Sequence, residues 1–308
     1  MLITFTARHF QITPAFVEKD YWITLILNHL SHSAYAGTVV FKGGTSLSKG
    51  YRLINRFSED IDIATIDENI SGNALKTKIL AIEKEITADF TEIEEPGITS
   101  KGSMFRKSVF EFPGIISKTL KSNIPNRIIV EINSFANPYP FVQKEITSFI
   151  AEFLVAGNQP KYIEQYGLQS FTLNILDKRR TMIEKLVSLI RFSFAENPIT
   201  AIASKIRHFY DLYLLAQDKE CAEYIQSASF KADFAELLIH DKETFDTPEN
   251  WQDKNMEDSP LVAGFPSLWE NLRTTYQNEL STLAFSPIPN ETEVAESFKL
   301  TIKQLTKK

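Results

Sequence analysis

The chain has 308 residues, 43% hydrophobic and 23% charged, with 33 basic and 39 acidic side chains giving a net charge of −6. That balance excludes a disordered or collagen-like chain, and the length fits two domains, each able to bury its own core. Apolar runs such as Tyr21–Leu27 fall far short of the roughly 20 residues that span a bilayer, so no membrane association is expected. Lys19 and Asp20 precede that run and no small-residue cleavage site follows it, so no signal peptide is expected either. Cys221 is the single cysteine, which excludes an internal disulfide framework and a multi-thiolate zinc site and points to a reduced, cytoplasmic protein.

In chain order, Phe16–Leu30 reads as an amphipathic helix and Val39–Phe41 as a short β-rich run. Lys42-Gly43-Gly44-Thr45-Ser46 follows, and Leu47–Ile54 looks helical. Ile61 and Ile63 alternate with Asp60 and Asp62, the period-2 pattern of a strand with one apolar face. Leu75–Phe90 predicts a helix, Met104–Phe112 and Arg127–Asn133 predict strands, and Asn123-Ile124-Pro125-Asn126 and Asn137-Pro138-Tyr139-Pro140 predict breaks. After about Glu145 helical spacing dominates: Thr181–Phe194, Ala201–Ala216, Phe230–Ile239 and Leu268–Leu283, with Asp241–Pro260 a polar loop. The expected organisation is an α+β domain over 1–150 and a mainly helical domain over 151–308.

Charge is unevenly spread. Asp211–Lys308 carries 18 acidic and 9 basic residues, a net of −9, so the preceding 210 residues carry +3 of the total −6. Within Phe171–Tyr210, Lys178, Arg179, Arg180, Lys185, Arg191, Lys205 and Arg207 face only Asp177, Glu184 and Glu196. A polyphosphate or an RNA backbone would favour such an excess, although solvated helix faces would look the same.

The densest chemistry lies in Val40–Ala64. Gly43 and Gly44 permit close backbone approach, so their amides could face a phosphate at the start of a helix, with Thr45 and Ser46 adding hydroxyls and Lys49 a charge one turn later. An ordinary strand–helix turn with a capping hydroxyl has the same local pattern. Asp60 and Asp62, two apart on a strand, project from one face at roughly 6–7 Å between Cα atoms. Like charges so placed repel unless a cation lies between them, which points to a divalent metal; the bland alternative is a solvated acidic strand end, Ser58-Glu59-Asp60. His9, His29, His32 and His240 show no metal-ligand spacing, and His208 between Arg207 and Phe209 reads as a packing or capping residue.

Gly-rich turn, short helix and Asp-x-Asp strand together resemble the DNA polymerase beta-like nucleotidyltransferase superfamily. More closely, FKGGTSLSK…RFSEDIDI, with Glu18-Lys19-Asp20-Tyr21 ahead of it and Arg180–Leu186 and Ser204–Leu215 after it, resembles the AbiEii/AbiGii toxin family of type IV toxin–antitoxin and abortive-infection systems. The resemblance runs from about residue 18 to 215. It implies a nucleotidyltransferase-type mixed β-sheet domain with flanking helices, and metal ions, Mg²⁺ or Mn²⁺, on Asp60 and Asp62. Glu131 is the best candidate for a third carboxylate, with Glu111 competing. Lys185 and Asp211 match the family's functional lysine and aspartate, Lys185 reaching the triphosphate and Asp211 orienting Lys185 or contacting the nucleotide. Snorkelling would be the alternative for Lys185, and an i,i+4 ion pair with Arg207 for Asp211. Ser58 is expected to support the site from nearby.

The implied activity is transfer of a nucleoside monophosphate from an NTP, with its phosphates on Gly43–Ser46 and Lys185, to a tRNA 3′ end. An antitoxin encoded nearby, which need not touch the toxin, is implied with it. Two other readings remain open at this stage: a small-molecule or protein hydroxyl as acceptor, and a non-enzymatic nucleotide-binding regulator.

Overall fold

Alternating apolar and charged residues build the centre of a mixed sheet. The computed structural model describes residues 1–58, 60–66, 70, 72–116 and 124–307; Glu59, Asn123 and Lys308, which entered the sequence reading, lie outside the described residues. Two compact units are formed, one from Met1–Arg52 and Phe57–Leu176, the other from Leu53–Arg56 and Asp177–Lys308.

The first unit opens with α1 (Leu2–Phe10), α2 (Pro14–His32), β1 (Val39–Lys42), α3 (Gly43–Lys49) and β2 (Asp60–Thr65). It continues with α4 (Gly72–Ile86), β3 (Thr91–Ile93), β4 (Ser100–Lys101), β5 (Phe105–Glu111) and β6 (Arg127–Asn133). β7 (Phe141–Ile146), α5 (Phe149–Ala156), α6 (Pro160–Gln165) and β8 (Phe171–Leu176) complete it. The sheet order is β3-β5-β6-β2-β1-β8-β7, with β4 paired to β5. β2 runs parallel to β6 and antiparallel to β1, which runs parallel to β8.

One face of this sheet is the core. Ile61 and Ile63 of β2 and Ile128, Val130 and Ile132 of β6 pack with Ile23, Ile26, Leu27 and Leu30 of α2 and with Ile79, Ile82 and Ile86 of α4. Each such side chain contributes roughly 1.5–3 kcal/mol by leaving water, and truncating Ile63 to alanine would cost about 2–5 kcal/mol. Because strand side chains alternate, this packing turns Asp60, Asp62 and Glu131 to the opposite face.

Helix α2 starts at the Thr13 cap with Pro14 in its first turn, and buries three consecutive charged residues. Asp20 accepts from Lys49 Nζ at 2.5 Å and from the Phe149 amide at 2.8 Å. Glu18 accepts from the amides of Ile115 and Ile116 at 2.6 and 3.1 Å, and Lys19 lies over the Phe57 ring. The Glu-Lys-Asp lead-in therefore satisfies buried polar groups inside this unit.

The second unit holds α7 (Lys178–Phe192), α8 (Pro198–Ala203), α9 (Arg207–Gln217), α10 (Lys219–Ile225), α11 (Ala228–Thr244), α12 (Pro260–Ala263), α13 (Phe265–Leu283) and α14 (Glu291–Thr306). Phe209 packs with Phe265, Trp269 and Phe298 at ring-centroid distances of 6.0, 5.1 and 4.8 Å, an aromatic core of this unit.

Several expectations shift. The division falls after Leu176 rather than near residue 150, because β7 and β8 pair and β8 joins β1. The single helix expected over Ala201–Ala216 is two, and the helix expected over Leu47–Ile54 begins at Gly43 and stops at Lys49, with Leu53–Arg56 held in the helical unit. The polar segment after Asp241 stays helical to Thr244 and then forms two short 3-10 turns, Trp251–Asp253 and Met256–Asp258. Among the described residues, no helix is long and apolar enough to cross a membrane.

Candidate active site

Strand register sets the site. Asp62 on β2 stands opposite Lys42 on β1 and Glu131 on β6, and Glu131 stands opposite Lys107 on β5. Four strands thus carry the row Lys42, Asp62, Glu131, Lys107, with Asp60 two residues before Asp62 on the same face. Lys107 Nζ lies 3.4 Å from Glu131 Oε2. Glu111 pairs in register with Arg127, so Glu131 is the carboxylate beside Asp62.

The turn into α3 fits closely against that row. Gly43 has φ +77°, and a side chain there would collide with Asp62 Oδ2, so glycine is needed both for the backbone and for the carboxylate's space. Thr45 is buried and its hydroxyl donates to the Asp60 carbonyl, which fastens the turn to the Asp-x-Asp strand. Ser46, also buried, donates to the Gly43 carbonyl at 2.9 Å. These two hydroxyls, expected to donate to a phosphate, are therefore used inside the turn, and Lys49, expected to offer its charge there, is buried against Asp20. Gly44 is buried in the first turn of α3 and Ser58 is buried just ahead of β2.

Burial raises the Asp62 carboxyl most, and Glu131 and Asp60 add to this; Lys42 and Lys107 oppose it, leaving the group pushed up to about 8. A carboxylate so short of positive charge is what a divalent cation relieves. The residues fit such an ion as a pair with a neighbour rather than as a closed cage. Among the described residues no three His, Cys, Asp or Glu side chains are gathered closely enough to hold a metal.

In the helical unit, Lys185 of α7 and Asp211 of α9 meet, Nζ to Oδ2 at 2.8 Å. The expected i,i+4 alternative is not made, since Arg207 pairs with Glu279. Arg56, which carries no sequence signal linking it to either, also grips Asp211: Nε to Oδ1 and Nη2 to Oδ2, both at 2.7 Å. Burial alone would raise the Asp211 carboxyl, but Arg56 and Lys185 outweigh it and hold the group well below the usual carboxylate range. His208 is held neutral by burial first and by Lys185 second, and its Nδ1 has no hydrogen-bond partner among the described residues.

The basic excess of Phe171–Tyr210 is largely met within the same unit. Lys178 pairs with Asp218 and Glu220, Arg179 with Asp177, Lys185 with Asp211, Arg191 with Asp241 and Arg207 with Glu279. What reads in sequence as an open basic stretch is mostly a set of ion pairs.

A glycine turn between strand and helix, pressed against an Asp-x-Asp strand in a mixed sheet, is the layout of a nucleotidyltransferase, and this protein is one. The family model for the AbiEii nucleotidyl transferase toxin of type IV toxin–antitoxin systems matches residues 25–295, and the chain belongs to that family. Among solved structures, it is similar to MenT4, a nucleotidyltransferase toxin from Mycobacterium tuberculosis, at 15% identity over 89% of this chain and 98% of that one, with a TM-score of 0.41. No curated protein matches the sequence. Nucleotidyltransferases of this kind use an NTP and a divalent metal, and membership of the family implies an antitoxin counterpart.

Proposed function

We propose that the protein transfers a nucleoside monophosphate from an NTP to the 3′ end of tRNA, and that this arrests translation and growth. The observation that carries the reading is the close fit of the Gly43 turn against Asp62, a carboxyl raised by burial and by its acidic neighbours Glu131 and Asp60.

Asp60 and Asp62 are the residues that would hold Mg²⁺ or Mn²⁺, with Glu131 a third donor once parted from Lys107. Such an ion, when bound, activates the acceptor hydroxyl and neutralises the leaving pyrophosphate. The acceptor oxygen forms a bond to the α-phosphorus as the bond to pyrophosphate breaks. The amides of Gly43 and Gly44 receive phosphate oxygens and Thr45 keeps the turn seated on β2. Within the helical unit, Lys185 is the lysine that the family resemblance gives to a triphosphate. Ser58 and Lys49 act through packing: Lys49 braces α3 on α2 through Asp20.

The extensive ion pairing of the basic helices favours a second acceptor, a small-molecule or protein hydroxyl, because paired cations attract an RNA backbone weakly. Purified protein incubated with Mg²⁺, each NTP labelled at the α-phosphate, and total tRNA separates these. Label on tRNA that disappears with Asp60→Asn supports tRNA transfer; label on protein or on a small molecule moves the acceptor. Retention of label on tRNA by both Asp60→Asn and Asp62→Asn would sink the proposed site.

A further inference from the structure

Asp211 is one carboxylate shared by two cations. Its Oδ1 accepts from Arg56 Nε, and its Oδ2 accepts from both Arg56 Nη2 and Lys185 Nζ, at 2.7, 2.7 and 2.8 Å. All three side chains are buried in the helical unit. A buried lysine and aspartate alone would form a neutral pair, and an ammonium cancelled by a carboxylate at 2.8 Å keeps little attraction for a phosphate. The planar guanidinium fork of Arg56 engages both carboxylate oxygens at once, the geometry in which arginine neutralises a carboxylate most completely.

We infer that Arg56 is a positioning residue for nucleotide binding: it neutralises Asp211, so that Asp211 aims Lys185 without cancelling its charge. The inference rests on Lys185 as a triphosphate ligand and adds the residue that keeps it competent. Arg56 is fixed for this task at the backbone as well. The Phe285 amide donates to the Asn55 carbonyl at 2.9 Å, and Arg56 forms an antiparallel bridge with Ala284. His208 reports the same surroundings, since Lys185, Lys205 and Arg56 all add to burial in disfavouring its proton, and Asp211 opposes them.

A structural clamp and a charge-neutralising one differ in what a second substitution does. Inorganic tripolyphosphate and each of the four ribonucleoside triphosphates would be titrated calorimetrically into wild type, Arg56→Gln, Arg56→Lys, the double variant Arg56→Gln with Asp211→Asn, and Lys185→Met, with circular dichroism checking each fold. Arg56→Gln should weaken triphosphate binding about tenfold or more, as for a lost charge-assisted contact. The double variant should regain part of that loss, because removing the carboxylate frees Lys185 again, while Arg56→Lys, which keeps the charge and loses the bidentate fork, should fall between wild type and Arg56→Gln. A double variant binding no tighter than Arg56→Gln, or a folded Arg56→Lys as weak as Arg56→Gln, overturns the inference. Should Arg56→Gln not fold, Arg56→Lys and the double variant decide the matter against wild type. Unchanged binding in Lys185→Met would instead overturn the assignment of Lys185 to the triphosphate, and the role of Arg56 with it.

Discussion

The carboxylates of the sheet unit and the charged triad of the helical unit are opposites. At Asp60, Asp62 and Glu131 anions crowd together and the Asp62 carboxyl is raised; at Arg56, Asp211 and Lys185 cations crowd a single anion and the Asp211 carboxyl is lowered. Both arrangements are partly or fully buried, where charges are screened least. The comparison can be broken or sharpened at four points.

The largest effect should follow loss of the sheet carboxylates. Asp60→Asn or Asp62→Asn should lower the rate of transfer at least about a thousandfold, read as label incorporated per minute, since each removes a carboxylate proposed to hold the divalent ion. Next comes the stability of the triad. Asp211→Asn removes the carboxylate that Lys185 and Arg56 share and should lower unfolding free energy by about 3–5 kcal/mol in urea at neutral pH. Because the folded-state value of Asp211 is depressed, this stabilisation is present above the ordinary carboxylate range and disappears as pH falls toward the depressed value. A triad that contributed nothing would give wild type and variant the same acid transition.

A smaller effect belongs to the turn. Gly43→Ala combines a left-handed backbone with a collision against Asp62, so a loss of about 1–3 kcal/mol and a displaced carboxylate are expected. Weaker Mn²⁺ binding by electron paramagnetic resonance would show the displacement. The smallest effect is a pH slope. In metal-free protein Asp62 holds a proton between the ordinary carboxylate range and about 8 that the unfolded chain has released, so stability should fall as pH rises through that window. Asp62→Asn should flatten that fall. Equal slopes in the two proteins would show that Asp62 is better compensated than its neighbours imply.

Local pattern made much of this protein legible in advance. Period-2 alternation gave β2 and β6 with their apolar and acidic faces, and helical spacing gave α2, α4, α7 and α13 to within a few residues. The strands β7 and β8 escaped, because Phe141–Ile146 follows a proline-rich break and Phe171–Leu176 adjoins a helical run, so neither stood out until paired with the other. Thr45, Ser46 and Lys49 stand out by residue type, and only the fold shows their polar atoms bonded to Asp60, Gly43 and Asp20.

The sequence by itself determined the chemistry available: a glycine turn, paired aspartates on one strand face, a lysine on an amphipathic helix, and a family in which those motifs occur in that order. These are short-range properties, fixed by residue type and by spacings of two to four along the chain. Tertiary structure alone decided which charges meet. Lys42 and Lys107 reach the carboxylates through cross-strand register, and Arg56 reaches Asp211 across 155 residues of sequence. No periodicity encodes such encounters, because they depend on how strands align and helices pack, and the energies that select them arise only once water has been excluded.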